Sequence, residues 1–540
     1  MTVSADLTPI YTATQMKACD TYTIETLGIP SQTLMERAAR RAVRIFLDRI
    51  DLFPEGPVVL LCGGGNNGGD GFAMARFLSD GSEGEARECT VIYIGRLTED
   101  GTPDLTRMSA ECGRQYRLAA EAGVKILAAE AIGEALSGAA ALVDAVFGIG
   151  LDRPVEGAAA EVISSAAESG LPVLAVDIPS GIHADTGRVM GMAIPAALTV
   201  TMQALKAGLL LYPGADYSGE VWIADLGIST APVPHPYARL ADEALLRRVL
   251  APRSRRSHKG TYGRTWLLCG SEGMSGAAVL STRGALRSGA GLAEVLTPEA
   301  NRVVLQTTVP EAIVTVRDGN ETISESIQRA DGVVMGCGLG TSSEALEALR
   351  VALNGLPADG SVPMVLDADG LNLLASDGSL RETSALSAPR KQIVVTPHPA
   401  EMARLCGRSV SEILANLPET ALTFARERGV TVVLKDAHTV IASPEGELYI
   451  CTAGNAGMAK GGSGDVLAGI IGSLLTQNRR RIGVDLTAAE VAAAGVYLHA
   501  CAGDLAAAEL GEYGVLASDV IERIPLVCKE FSDSGTRMNV

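Results

Sequence analysis

Short apolar runs, each closed by a cluster of glycine and polar residues, alternate along this chain with stretches of helical spacing. In the first half the runs are Pro57–Cys62, Thr90–Ile94, Ala141–Phe147 and Leu171–Ile178. In the second half they are Arg264–Leu268, Asp331–Met335, Pro363–Leu366, Ile393–Thr396 and Thr431–Leu434. Apolar runs of this length bounded by turn residues predict strands buried on both faces, as in parallel sheets. Between them the spacing predicts helices. Two fall within residues 14–50, the second carrying Leu34, Ala38, Ala42 and Ile45 on one face, and another covers Phe72–Leu78. An alanine-rich helical tail closes the chain. Strand–helix alternation in both halves predicts an α/β protein of two three-layer αβα domains, with ligands at the carboxyl ends of the strands. Ala231-Pro232-Val233-Pro234-His235-Pro236 can continue neither helix nor strand and marks the boundary. The expected division is a first domain at 1–229, a linker and entry helix at 230–260 and a second domain at 261–540.

Composition narrows the function. A chain of 540 residues with 47% hydrophobic content can build two large cores. A net charge of -18 and 4% aromatic residues argue against nucleic-acid or anionic-membrane partners. The longest uncharged run, 189–205, is too polar for a membrane span, and the opening residues lack the pattern of a signal peptide. Ten cysteines with no C-x-x-C pair predict free thiols and a cytoplasmic location.

The candidate chemistry lies where strands run into glycines. Gly63-Gly64-Gly65-Asn66-Asn67-Gly68-Gly69-Asp70 follows the first strand. Its G-x-G-x-x-G match is weak, because the acidic residue expected after the next strand is missing. Asn66, Asn67 and Asp70 could bind a cation or the polar edge of a ligand; a turn capped by asparagines is the alternative. Asp144 and Asp177 stand near strand ends, where a carboxylate is costly unless a partner satisfies it. In the second half, Gly461-Gly462-Ser463-Gly464-Asp465 precedes an apolar helix, the context of an anion site built from free N–H groups. Asp465 is either the cap of that turn or a general base beside a phosphoryl group. G-x-x-x-x-G-K-[ST], H-E-x-x-H and G-x-S-x-G are absent.

Over residues 10–228, N-N-G-G-D-G, D-A-V-F-G-I-G-L, D-I-P-S-G and A-L-K-A-G-L resemble the NAD(P)H-hydrate epimerases in order and content. Over roughly 240–530, T-P-H-P-A-E-M, K-D-A-H-T-V-I-A and G-N-A-G-M-A-K-G-G-S-G-D-V-L-A-G resemble the NAD(P)H-hydrate dehydratases of the ribokinase-like superfamily. The resemblance implies a Rossmann-like first domain and a ribokinase-like second domain. It implies that Asn66, Asn67, Gly68, Gly69, Asp70, Gly148, Ile149, Gly150, Leu151, Asp152, Arg153 and Pro154 bind the hydrated dinucleotide. Asp177 is implied as the acid/base, and Asn67, Asp144 and Ser180 as potassium ligands. In the second domain it implies that Ala277, Gly338, His398 and Asp465 meet the hydrated substrate, with Asp465 catalytic. Lys435, Asp436, Ala437, His438, Thr439 and Gly464 would meet a nucleotide. For His398 a structural role on a proline-rigid turn stays open. ADP is the implied phosphoryl donor, with ATP possible, and magnesium the implied metal. The implied partners are small molecules, in a homo-oligomer. Three positions depart from the family pattern: His183 and Asp436, where an acid and a glycine are usual, and Ala400 in place of glycine. The competing reading is a ribokinase-like kinase for a small vitamin precursor, with a dinucleotide-binding module in front.

Overall fold

The computed structural model describes residues 7–250, 252–383, 386, 392–481 and 486–532. The chain forms two compact units, Pro9–Ala238 on one side, and Arg239–Val540 with the first eight residues on the other.

The sheet of the Pro9–Ala238 unit runs Lys125–Ala128, Cys89–Ile94, Val58–Gly63, Ala141–Ala145, Val173–Val176, Leu198–Met202, Glu220–Ala224, all parallel. Side chains alternate between two cores. Val58, Leu60 and Cys62 pack with the helices Ser31–Asp48 and Asn66–Asp80, whereas Val59 and Leu61 join the opposite core with Val162, Ile163 and Ala166. Successive connections run in opposite directions from Val58–Gly63 and Ala141–Ala145. Their carboxyl ends therefore flank the crevice where such sheets bind ligands.

The helix after the first glycine run starts at Asn66, six residues earlier than the apolar spacing predicts. Gly68 and Gly69 are helical and serve packing. A Cβ on Gly68 would lie 1.8 Å from the Gly63 carbonyl oxygen, and one on Gly69 would lie 2.8 Å from Met35 Cε. The contact that glycine permits outweighs its low helix propensity. We expect Gly68→Ala to lower the stability of this unit by about 3 kcal/mol or more, as overpacking against backbone does, measured as a lower urea midpoint.

The second unit carries the strand order Ile313–Val316, Leu292–Thr297, Arg264–Leu268, Gly332–Met335, Met364–Leu366, Ile393–Val395, Thr431–Leu434, Thr439–Ala442, Leu448–Cys451, Ala238–Leu240. It is parallel through Thr431–Leu434, and the hairpin of the next two strands adds antiparallel pairs. Leu267, Val334, Val365, Val394 and Val433 face a core shared with the helices Ser463–Arg480, Ala488–Leu510 and Ala517–Ser532. On the other face the fully buried Trp266 donates its Nε1 proton to Ser326 Oγ at 3.1 Å. The entry helix is Glu243–Val249, capped by Asp242. Ser463–Arg480 lies close against Ser275–Arg287, since a Cβ on Gly469 would fall 2.0 Å from the Ser281 carbonyl oxygen. Ala488–Leu510 is long and apolar enough to cross a membrane, but two-thirds of its apolar window, 67%, is buried in this core. The α/β class expected for both halves is the class observed.

Candidate active sites

A cavity of about 570 Å³ opens at the crevice of the Pro9–Ala238 sheet. It is lined by Asn66, Asn67 and Asp70, by Gly148, Ile149, Gly150, Leu151, Asp152 and Arg153, and by Asp177. Gly68, Gly69, Pro154, Asp144 and Ser180 do not line it. The two glycines are spent on helix packing. Asp144 and Ser180 lie beneath the floor, fully buried. Ser180 donates its N–H to Asp144 Oδ2 at 2.7 Å and its hydroxyl to Oδ1 at 2.5 Å, and Ser180 Oγ accepts from the Phe147 N–H at 2.9 Å. Burial pushes the Asp144 carboxyl up to about 6, against the pull of these hydrogen bonds. The Asn67 side chain lies against Gly148, next to Phe147, and its Nδ2 is buried without a partner among the described residues.

Asp177 follows the strand Val173–Val176 at φ 69°, a left-handed backbone that a non-glycine residue adopts at a cost. Lys206 Nζ donates to its Oδ1 at 2.6 Å, and the Met202 N–H donates to the same oxygen at 3.0 Å. Lys206 is 1% exposed and completes its donors on Thr201 Oγ1 and the Met202 carbonyl. Across the cavity, Asp70 is pushed well above the usual carboxylate range by burial and then by the charges of Asp177 and Asp20. The two carboxyls thus stand in different environments, Asp177 on a buried lysine and Asp70 buried among other acids. Lys206 stands inside A-L-K-A-G-L, yet its role rests on a contact 29 residues back along the chain. Lys17, Asp20 and Glu111 complete the lining from helices that carry no local signature.

In the second unit, Gly462 is the N-cap of Ser463–Arg480, at φ 94°. Asp465 is the third helical residue and caps nothing, so the capping alternative fails. Its carboxyl meets Cys337 and Asp367; the three offer ligand atoms within 4.8 Å of one another. Asp367 ends the strand Met364–Leu366 and is 1% exposed. Its Oδ1 accepts from Lys435 Nζ at 2.9 Å and Thr396 Oγ1 at 2.7 Å. Ala368 follows at φ 48°. A Cβ on Gly464 would lie 3.3 Å from Lys435 Nζ, so the lysine sits under the first turn of the helix, where phosphate charge would be met. Burial alone would lower the Lys435 pKa, but Asp367 and Glu401 raise it on balance. Burial first, and then Asp367, pushes Asp465 up to about 6.

Of the other expected residues, Ala277 and Gly338 face each other at the switch point between Arg264–Leu268 and Gly332–Met335. A Cβ on Gly338 would touch Ala277 Cβ at 2.6 Å. His398 caps the helix Pro399–Cys406: its Nδ1 accepts from the N–H groups of Ala400 and Glu401 at 3.1 and 3.4 Å. The structural role left open for it is therefore occupied, while half of its side chain stays exposed. Lys435, Asp436, Ala437 and His438 form the turn before Thr439–Ala442. His499 escaped sequence reading. It lies on the tail helix, buried, with Nε2 3.5 Å from Ser463 Oγ, and burial and Lys435 lower it to about 4.

A family model described as NAD(P)H-hydrate dehydratase matches residues 265–526, and one described as YjeF-related protein N-terminus matches 31–208. The bifunctional NAD(P)H-hydrate repair enzyme of Thermofilum pendens is 35% identical over 95% of this chain and 94% of its own length. The chain belongs to the bifunctional NAD(P)H-hydrate repair enzymes. The repair enzyme of Escherichia coli is also 35% identical, over 95% of this chain and 92% of its own. Among solved structures, the ADP/ATP-dependent NAD(P)H-hydrate dehydratase of Bacillus subtilis, co-crystallised with ATP and Mg2+, is 30% identical. It covers 54% of this chain and 98% of its own at a TM-score of 0.46. As a member of this family, the chain is a lyase and an isomerase: it dehydrates and epimerises hydrated NAD(P)H.

If Asp465 works as a base in this repair enzyme, dehydration follows its ionisation. We expect kcat/KM for dehydration to be level above pH 6 and to fall about tenfold per unit below it, measured at low hydrate and nucleotide concentrations, where the free enzyme sets the profile. The stability effect runs the other way. The folded state holds this proton more tightly than the unfolded state, so Asp465's contribution is present below the ordinary carboxylate range and is lost as pH rises through about 6.

Proposed function

We propose that the two activities are divided between the two cavities, with Asp177 and Asp70 serving epimerisation and Asp465 serving dehydration. Hydration leaves a hydroxyl on a ring carbon next to the nicotinamide nitrogen. In the first cavity, Asp70, raised by burial, lends a proton to that hydroxyl. The ring nitrogen's electron pair then expels it as water, and Asp177 takes a proton back as water adds to the opposite face. Protons and oxygen balance once the proton left on Asp177 returns to Asp70 through water, and both epimers share one planar cation. Two carboxyls lining one cavity in unlike environments, one on Lys206 and one raised by burial, support this reading.

In the second site, hydroxide is a poor leaving group until it is phosphorylated. Asp465 removes the hydroxyl proton, the N–H groups of Gly462, Ser463 and Gly464 with Lys435 hold the arriving phosphoryl group, ring electrons expel phosphate, and the adjacent ring carbon of the resulting iminium gives up a proton to the departing phosphate, restoring the double bond. ADP is the donor in this reading and AMP the by-product. The relative from Bacillus subtilis, described as ADP/ATP-dependent, supports a nucleoside di- or triphosphate. Asp369, partly exposed and with Oδ2 accepting from the Gly340 N–H at 2.8 Å, fits magnesium, which takes one or two carboxylates together with phosphate oxygens. Bound there, the ion would neutralise charge on the nucleotide. A stable phosphorylated product would instead favour the vitamin-precursor kinase.

Asp144, Ser180 and Asn67 fit potassium: they offer oxygen donors around Phe147, and the described contacts of Asp144 include no cationic side chain. Potassium bound there would supply the missing positive charge. We expect the Pro9–Ala238 unit to melt at a higher temperature in potassium than in sodium, potassium at a hundredfold excess over Kd stabilising it by about 2.7 kcal/mol. Asp144→Asn should remove the dependence. The ten free thiols support a cytoplasmic setting.

The deciding experiment supplies both epimers of hydrated NADH with magnesium and potassium, and follows the return of reduced-nicotinamide absorbance with ADP, with ATP and with neither. Nucleotide-dependent recovery of both epimers supports the reading. No recovery with either nucleotide sinks it.

A further inference from the structure

Cys337 lies two residues past the strand Gly332–Met335, with its Sγ turned to two carboxylates and a second thiol. The Sγ lies 3.9 Å from Asp367 Oδ2 and within 4.8 Å of an Asp465 carboxylate oxygen, and it meets the thiol of Cys269, which follows the strand Arg264–Leu268. The two thiols bring two S–H groups to a cluster that also holds two carboxylates. Asp367 turns its other oxygen, Oδ1, to Lys435 and Thr396, so Oδ2 is the one left for the cluster. Cys337 and Asp367 are buried, while Asp465 is half-buried and opens the cluster to the cleft.

We propose that Cys337 Sγ, Asp367 Oδ2 and Asp465 form a site for a thiophilic divalent cation of the zinc or cobalt(II) type, and that such an ion inhibits dehydration. The donor set decides the class of metal. A thiolate among carboxylates selects zinc or cobalt over magnesium, which takes oxygen donors alone. The geometry fits as well. Bonds of about 2.3 Å to sulfur and 2.0 Å to oxygen place tetrahedral ligands roughly 3.5 Å apart, and here all three lie within 4.8 Å of one another. Charge closes too: a thiolate and two carboxylates against Lys435 leave two negative charges, those of one divalent ion. Binding releases the thiol proton to solvent and leaves the fourth position to water from the cleft. The inhibitory consequence rests on the assignment of Asp465 as base, because the ion takes the electron pair that the base needs. The binding itself does not rest on it.

The test uses the full chain, without substrate or nucleotide, titrated with cobalt(II) and then zinc. The expected result is one equivalent of cobalt with a sulfur-to-cobalt charge-transfer band, displaced by zinc and untouched by equimolar magnesium. Cys337→Ser should abolish the band and weaken zinc at least about tenfold. Asp465→Asn should weaken zinc while keeping the band, a second check should Cys337→Ser misfold. A parent protein with no such band, or both variants binding zinc as the parent does, overturns the site. Zinc bound at this stoichiometry with dehydration unimpaired overturns the inhibition and, with it, the role of Asp465, but leaves the site standing.

Discussion

Asp465→Asn should lose about 10²- to 10⁴-fold in the rate of nucleotide-dependent dehydration, the range a positioned general base contributes, while epimerisation continues at the parent rate. The substitution keeps the shape of the first helical turn. It removes the electron pair that accepts the hydroxyl proton and one of the carboxylates crowding Asp367. The fold should therefore hold or gain slightly, since a carboxyl pushed up to about 6 by burial is a strained ion at neutral pH. The measurement is a single-epimer dehydration assay beside an epimer-interconversion assay on the same preparation, with thermal melts. Loss of both activities together would place Asp465 in the fold rather than in the chemistry. Retained dehydration would move the base elsewhere in the cleft.

The second large effect belongs to the Asp177–Lys206 pair, where activity and stability separate. Lys206 is almost wholly inside, and Asp177 keeps 12% of its side chain exposed to the cavity. Asp177→Asn should abolish epimerisation. It should also destabilise its unit by about 3–5 kcal/mol, because a buried ammonium is left without its ion. Lys206→Met should cost less stability, because Asp177 keeps the Met202 N–H and the cavity opening. It should still slow epimerisation, because the carboxylate loses the ammonium that holds its Oδ1 in place. A Lys206→Met chain that epimerises at the parent rate would reduce Lys206 to a packing role. With Asp177→Asn the chain should still dehydrate one epimer fully, so recovery from a mixture would stop part-way.

The elements were legible because a buried parallel strand is a continuous apolar run and its end is a glycine turn. Arg264–Leu268 and Thr431–Leu434 are observed where the pattern placed them. The start of Asn66–Asp80 was not, since glycines that read as loop were selected for closeness to Gly63. Gly68 and Gly69, expected among ligand contacts, are held by packing within that helix. At the sites, Asp177 and Asp465 stood out as carboxylates in apolar or glycine-rich surroundings. Lys206, Asp367, Cys337 and His499 did not. Each acquires its role from a neighbour dozens of residues away, and spacing along a chain carries no trace of a contact made across a sheet. His398 shows the converse: a residue singled out for binding has its ring nitrogen engaged by the helix it begins.

The backbone at Asp177 bears on how this protein changes over generations. Among the described residues, three that are not glycine adopt positive φ: Asp177, Gln203 beside Met202, and Ala368 beside Asp367. Glycine at 177 would relax the main chain, whereas aspartate holds the position against that relief. A lineage with no need to repair one epimer would gain by drifting to glycine there, provided Lys206 were replaced as well. The aspartate and lysine together would then mark lineages still under selection for the reaction, and their joint disappearance would date its loss.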